Sequence, residues 1–343
     1  MKILNFFYEN PPKFERSYER KIKIERPNIV LKGPRHCGKR TLLFNFLADF
    51  DAEAVLFLDL KDLRFEKESL DNLPYFLRQN SQIKILCLYN LDFIPNLQAI
   101  RVPILLSIED RTLNFEDLEE LELDFFDFEE FISVSRKNLP ANHFLGLFLQ
   151  TGRSAYGDNR ALLRADFSAL ELEILKYLAH HLGKEVSINQ IFTTLKQTLK
   201  TSKDSLYQAV KDLENRYIIH TLHHGEKRLF KIYFRDFALK NVLCIQKDFA
   251  HLFENMILCE LFKLKKAFFY NKFFHFYGEG AAYISSPTLH KDLIKIKAKK
   301  ILPKALELGI FHISFITLSN EGNFFERGVK FDILPFDKWA LSF

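Results

Sequence analysis

Residues 33–43 read GPRHCGKRTLL. Gly33, Gly38 and Lys39 stand at the GxxxxGK spacing of a phosphate-binding loop. Glycines let backbone N–H groups wrap a phosphate, and the lysine reaches its outer oxygens. The spacing alone is a weak signal, but its setting strengthens it. Residues 28–32 (NIVLK) form a short apolar run expected as a buried strand, and residues 41–50 put Leu42, Leu43, Phe46 and Leu47 on one helical face. A glycine loop between strand and helix turns the positive end of the helix dipole toward an anion. Gly33, Pro34, Arg35, His36, Cys37, Gly38, Lys39, Arg40 and Thr41 are therefore the candidate nucleotide-binding residues. ATP or ADP is the expected ligand.

The position after the lysine ordinarily carries a hydroxyl that holds Mg²⁺. Arg40 occupies it, and Thr41 follows one residue later, about 100° further round the helix. Arg40 is expected to lie along the phosphates and compete with the metal, which disfavours Mg²⁺. Two readings of the loop stay open: residual nucleotide binding, or a loop that keeps its shape and binds nothing. No catalytic residue and no metal ligand is assigned.

Outward from the loop, residues 54–60 (AVLFLDL), 83–88 (IKILCL) and 103–108 (PILLSI) read as further buried strands, with helical segments between some of them. Strands alternating with helices predict a parallel sheet and an α/β fold. After residue 131 the pattern becomes mostly helical, at 167–182, 187–200 and 201–216. Residues 218–234 (IIHTLHHGEKRLFKIYF) then form two β-rich runs around HHGEK, the pattern of a hairpin. Three helices and a hairpin is the order of a winged helix. A helix at 249–264 and strands at 311–318 and 330–334 follow. The expected organisation is a phosphate-loop α/β domain at 1–135, a helical linker and winged helix at 136–235, and a third α/β domain at 236–343.

The 343 residues suit two or three domains, and 48% apolar with 27% charged residues is an ordinary globular mixture. The 37 phenylalanines belong to a bias toward Phe, Lys, Leu and Ile along the whole chain. A net charge of +5 is too mild to imply nucleic acid by itself. From Glu109 to Glu130 eleven acids stand against Arg111, and from Lys263 to Lys304 ten lysines stand against Glu279 and Asp292. These segments read as solvated faces, or as faces that meet within a chain or between copies. The four cysteines are widely spaced with no CxxC, which suggests reduced thiols and a cytoplasmic protein. No uncharged run approaches the roughly 18 residues of a membrane span, so a soluble chain is expected. The adjacent pairs His180/His181 and His223/His224 point apart and make no ligand set.

In its order of motifs the chain resembles a family of prokaryotic AAA-superfamily ATPases with a phosphate-loop domain, a winged helix and a nuclease-like C-terminal domain. GPRHCGKRTLL is similar to that family's loop. FDFEEF (126–131) resembles its phenylalanine–glutamate element, and FLGLFLQTG (144–152) its next helix. KIYFRDFALKNVL (231–243) and LFENMILCELFK (252–263) resemble the start of its last domain. The resemblance implies an Asp-Glu pair at the end of the third strand, for Mg²⁺ and for the attacking water. This chain has ILCLYNLDF (85–93), with Tyr89 and Asn90 at those positions and Asp92 two residues on. It also implies a nuclease aspartate where GEGAAYISS (278–286) has Ala282. Glu254 and Glu260, left without strand partners, are expected as surface acids.

The resulting expectation is a degenerate member of that family. It hydrolyses ATP weakly or not at all and acts through contacts with another protein, as a chaperone-like, stabilising or scaffold component that also self-associates. DNA binding is not expected. Lys203, Ser205, Gln208 and Lys211 share their helix with Asp204, Asp212 and Glu214, which repel phosphate. Two alternatives stay open: a slow ATPase using Lys39, Thr41 and Asp92, and a DNA-associated protein using the winged helix and the lysine-rich segment.

Overall fold

The computed structural model describes residues 1–135, 139–154 and 160–342. Parts of the expected linker, 136–138 and 155–159, lie outside the described residues. The chain divides into two compact units. One is formed by residues 1–125 with 215–217, the other by 126–214 with 218–343.

The first unit contains α1 (Lys2–Glu9), β1 (Ile29–Lys32), α2 (Lys39–Leu47), β2 (Val55–Asp59), α3 (Leu73–Gln79), β3 (Ile85–Leu91), β4 (Ile104–Ile108) and β5 (Glu119–Glu122). The strands form a five-stranded sheet in the order β2-β3-β4-β1-β5, parallel throughout. Leu56, Leu58, Leu86, Leu88 and Leu106 are each 0% exposed in its core. Apolar runs buried on both faces are what a parallel sheet covered by helices requires. Truncating any of these leucines to alanine would cost about 2–5 kcal/mol. β5 (EELE) has no apolar pattern that announces a strand. It exists because β1 offers a free edge, pairing Ile29 with Glu119 through Lys32 with Glu122. Arg26 and Lys32 bind the Glu119 and Glu120 carboxylates from the sheet side.

The second unit contains α4 (Phe128–Val134), α5 (Ala141–Thr151), α6 (Arg160–Asp166), α7 (Ala169–His180), α8 (Ile188–Leu195) and α9 (Lys203–Asn215). The antiparallel pair β6 (Ile219–His223) and β7 (Phe230–Phe234) comes next. Then follow α10 (Leu239–Leu243), α11 (Phe249–Leu261), β8 (Phe276–Gly278), β9 (Ala281–Ser285), α12 (Lys291–Glu307), β10 (His312–Thr317), β11 (Gly322–Glu326), β12 (Val329–Pro335) and α13 (Phe336–Ala340). A mixed sheet runs β11-β12-β10-β9-β8, with β9, β10 and β12 parallel. Ile294, Ala298, Ile301, Leu302 and Ala305 of α12 belong to its apolar core.

Residues 136–235 and 236–343, expected as separate domains, share this one unit. Buried polar bonds join them. The Asp236 carboxylate accepts from Arg153 N–H at 3.1 Å. The Asn255 side chain both accepts from and donates to the Phe234 backbone, at 3.1 and 2.8 Å. Gly152 has φ +78°, and a Cβ there would stand 2.3 Å from that of Ala238, so α5 ends hard against the start of α10. Buried groups that satisfy one another this closely do not separate cheaply.

Two sequence expectations are corrected. Glu254 and Glu260 are not surface acids, being 4% and 0% exposed. Tyr233 O–H and Lys231 Nζ bond Glu254, the lysine at 3.3 Å, whereas Phe128 N–H donates to Glu260 at 3.0 Å and Lys263 Nζ pairs with it at 3.0 Å. The acidic segment is not one face. Glu116, Asp117, Glu119, Glu120 and Glu122 are exposed, whereas Asp127 and Glu130 are buried and form the capping box of α4. Ala282 is 1% exposed within the apolar core formed with α12.

Candidate phosphate-binding loop

The loop of residues 33–38 leaves the C-terminal end of β1 and enters α2. Two glycines shape it. Gly33 has no room for a side chain, because a Cβ would lie 2.0 Å from the Leu123 carbonyl oxygen. Gly38 caps α2 at φ +97°, in the left-handed region that glycine tolerates best. His36 also takes a left-handed φ of 62° and is exposed. Gly38 gives α2 no side-chain cap.

Lys39 is 4% exposed and folded back on its own loop. Its Nζ donates to the carbonyls of Gly33 at 2.8 Å and Pro34 at 2.6 Å. Burial pulls its pKa below the ordinary lysine value; Glu109 favours its charge, while Lys61 and Arg35 oppose it. Cys37 is also buried, and burial pushes its thiol pKa up. Arg20, 4% exposed, donates to the Cys37 carbonyl at 2.5 Å and the Asp124 carbonyl at 2.9 Å. Tyr18 stands over Gly38, its hydroxyl 3.1 Å from where a Cβ would be. The N-terminal segment thus runs across the loop, and Ser17 N–H bonds Asn45 of α2 at 2.8 Å.

Arg40 does not lie along the loop as expected. It is exposed and sits over the Phe44 ring, 4.9 Å from the centroid. A guanidinium one turn below an aromatic face gains a cation–π contact there. Thr41 is half-buried beside it.

The carboxylates near the loop come from strand ends. Asp59, last in β2, accepts from Asn90 Nδ2 at 2.8 Å and Lys61 N–H at 3.1 Å. Asn90, with φ 60°, therefore spends its amide on Asp59. Glu109 follows β4 with a side chain 16% exposed; Lys61 Nζ is 3.0 Å from one oxygen and Arg35 Nε 4.0 Å from the other. That second oxygen is buried and makes no hydrogen bond. Asp92 is exposed past the end of β3. Asp59, Lys61, Glu109 and Arg20 were not singled out from the sequence. LFLDL and LLSIED did carry a signal, since an acid directly after a buried parallel strand emerges at the end where the loop sits.

These residues fit a nucleotide phosphate in shape and charge. Uncapped N–H groups, a glycine hinge and a buried ammonium are present, and phosphate oxygens can replace the two carbonyls that now hold Lys39. They fit Mg²⁺ less well. The position next to Lys39 carries Arg40, whose guanidinium cannot ligate a metal, and one oxygen of Asp59 is already engaged by two donors.

In the second unit Glu254 lies near a second titratable group. His275 Nε2 is 3.8 Å from its carboxylate, and His275 Nδ1 accepts from Ser285 N–H at 3.2 Å. Burial pushes the His275 pKa down to about 4, so the ring is neutral at pH 7. Lys203, Ser205, Gln208 and Lys211 of α9 are exposed, with Asp204 among them and Gln208 bonded to Asp212 at 2.8 Å.

The five-stranded parallel sheet with this loop between β1 and α2 fits a phosphate-loop NTPase domain. Among the described residues no helix is long and apolar enough to cross a membrane. No family model and no curated protein matches the sequence. Among solved structures, a Walker-type ATPase of Pyrococcus abyssi is similar over 71% of this chain and 93% of its own, at 15% identity and a TM-score of 0.43. AMPPCP-bound DnaA from Aquifex aeolicus is similar over 62% and 86%, at 11% identity and 0.29. Drosophila ORC bound to AT-rich DNA is similar over 62% and 84%, at 12% identity and 0.21.

Proposed function

We propose that this chain is a degenerate phosphate-loop protein of the AAA type. Its loop, Gly33 to Thr41, takes ATP or ADP with little need of Mg²⁺. It turns nucleotide over weakly or not at all, and its work is to hold another protein, with 1–135, 136–235 and 236–343 as its functional segments. The observation that supports this most is Asn90. At the end of β3, beside the loop, stands an amide already bonded to Asp59, and an amide cannot draw a proton from water. The exposed position of Asp92 agrees with it.

One observation favours a second reading, a slow ATPase. Glu109 has a buried oxygen with no hydrogen bond, close to the loop lysine and its neighbours. In that reading Glu109, and not Asp92, would orient the water. Single-turnover hydrolysis of ATP separates the two. The holding reading expects no product, or a trace that Glu109→Gln leaves unchanged. Product that is lost in both Lys39→Ala and Glu109→Gln, and kept in Asp92→Asn, would replace it with the enzyme reading. In cells the holding reading expects Lys39→Ala to behave nearly as wild type and Lys295→Glu/Lys299→Glu, on the exposed side of α12, to lose function.

A further inference from the structure

The mixed sheet of the second unit has two edges, and they differ. At β8 the outer side is taken by residue 269. Phe269 N–H bonds the Tyr277 carbonyl at 2.9 Å, and Tyr277 N–H bonds the Phe269 carbonyl at 2.8 Å. At the other edge lies β11, and among the described residues nothing pairs with its outer side. We propose that this edge is a self-association site, where β11 of a second copy pairs antiparallel with it and joins two sheets into one.

The ladder fixes which backbone groups are free. β11 and β12 set Asn323 opposite Asp332 and Phe325 opposite Lys330. Lys330 N–H is spent on the Phe311 carbonyl, at 2.8 Å on the β10 side. Phe325 therefore sits in a non-hydrogen-bonded pair with Lys330, and its own N–H and C=O turn outward. Alternation turns those of Asn323 outward as well, while Gly322, Phe324 and Glu326 bond inward. The strand is held in place. Phe324 stacks on Phe331 with centroids 4.8 Å apart, and the two-residue turn closing the hairpin takes left-handed φ at Arg327 (48°) and Gly328 (80°). Features that usually blunt an edge strand are missing: GNFFE has no proline, lysine or bulge, and Phe325 is 70% exposed.

Charge selects the occupant. A two-fold antiparallel pair needs outward-facing residues opposite each other, so Asn323 meets Phe325 of the second copy, with Phe324 at the axis. That register sets Glu321 opposite Arg327 of the second copy, and symmetry repeats the pair at the other end. Arg327 is exposed, with no carboxylate within ion-pair distance among the described residues. Glu321 is exposed and held only by the exposed Lys338, a pair that contributes little. The registers two residues to either side set the same two charges opposite Phe325 and Ser319, or Val329 and Asn323. Only the central register pairs opposite charges at both ends. So short an edge makes a weak dimer, visible at raised concentration.

Sedimentation velocity of the full chain at rising concentration, without nucleotide, reads this edge independently of the loop. A monomer–dimer equilibrium is expected. Asn323→Pro removes one outward N–H from each copy, at a position where an edge strand accepts proline, and should weaken dimerisation by about tenfold. Glu321→Arg sets like charges opposite each other at both ends and should weaken it several-fold; adding Arg327→Glu in the same chain should restore it. Circular dichroism checks that each variant is folded. A wild-type chain that stays monomeric at every concentration overturns the proposal, including one whose edge takes a strand from a different protein instead. So does a dimer left unchanged by Asn323→Pro or Glu321→Arg, or one that Arg327→Glu fails to rescue.

Discussion

Lys39→Ala separates a loop that binds from a loop that is only architecture, because the two predict different pairs of melting curves. Without ligand, the change removes a buried ammonium and leaves the Gly33 and Pro34 carbonyls without their donor. A hydrogen bond from a charged donor contributes about 1.5–3 kcal/mol, so two bonds lost would be several kcal/mol. Relief of the ammonium's burial, the main cause of its lowered pKa, offsets much of this. A net loss of about 1–2 kcal/mol is expected. With nucleotide the difference is larger. ATP at about 100 times its Kd stabilises the wild-type fold by roughly 2.7 kcal/mol through mass action. At roughly 3–5 °C per kcal/mol for a unit of this size, that raises Tm by roughly 8–13 °C. Lys39→Ala should show almost none of this rise. The assay is differential scanning fluorimetry with ATP and ADP, with and without Mg²⁺. An equal rise in both proteins would refute the role given to Lys39. No rise in wild type at millimolar ATP would refute nucleotide binding altogether.

Three further outcomes are expected. Arg40→Thr alone should make nucleotide binding more dependent on Mg²⁺ without restoring hydrolysis, whereas Arg40→Thr with Asn90→Glu should yield measurable phosphate release; release from the unmodified chain would contradict this. Burial holds the Glu260 pKa above the carboxylate range, so above about pH 4.5 the folded chain binds more protons at this site than the unfolded one. Its contribution to stability should therefore fall as pH rises from there through its folded pKa, a slope that Glu260→Gln removes in urea titrations, while Glu260→Ala should cost about 1–3 kcal/mol by leaving the buried Phe128 N–H without its acceptor. His275 should show no imidazole titration by NMR between pH 5.5 and 8. Because its folded pKa of about 4 lies below the unfolded value near 6.5, the destabilisation it causes grows as pH falls between those values and is absent from a His275→Gln variant.

The loop and the sheet behind it were legible because both are local. GxxxxGK needs only its own backbone to curl, and NIVLK, AVLFLDL, IKILCL and PILLSI carry apolar runs that only a doubly covered parallel sheet can bury. The helices after residue 167 and the hairpin at 218–234 were equally local, marked by period and turn residues. Site residues supplied by strand ends were less legible. Asp59 lies 31 residues before Asn90 and 50 before Glu109 in sequence, and only strand order brings them to one edge of the sheet. β5 has no strand pattern at all and forms because β1 leaves an edge for it.

Side-chain direction was the other thing that spacing could not decide. Arg40 can reach phosphates or Phe44, and the ring one turn on takes it. Glu254 and Glu260 read as surface acids, yet both are buried because Tyr233, Lys231, Phe128 and Lys263 arrive from other elements to bond them. By itself the sequence determined the glycine loop, its strand and helix, and the absence of an acid at Asn90, since these depend on neighbours in the chain. Only the tertiary structure decided which carboxylates face Lys39 and which charges are buried. Those are set by groups distant in sequence, whose pairing becomes favourable only once the chain has brought them out of water together.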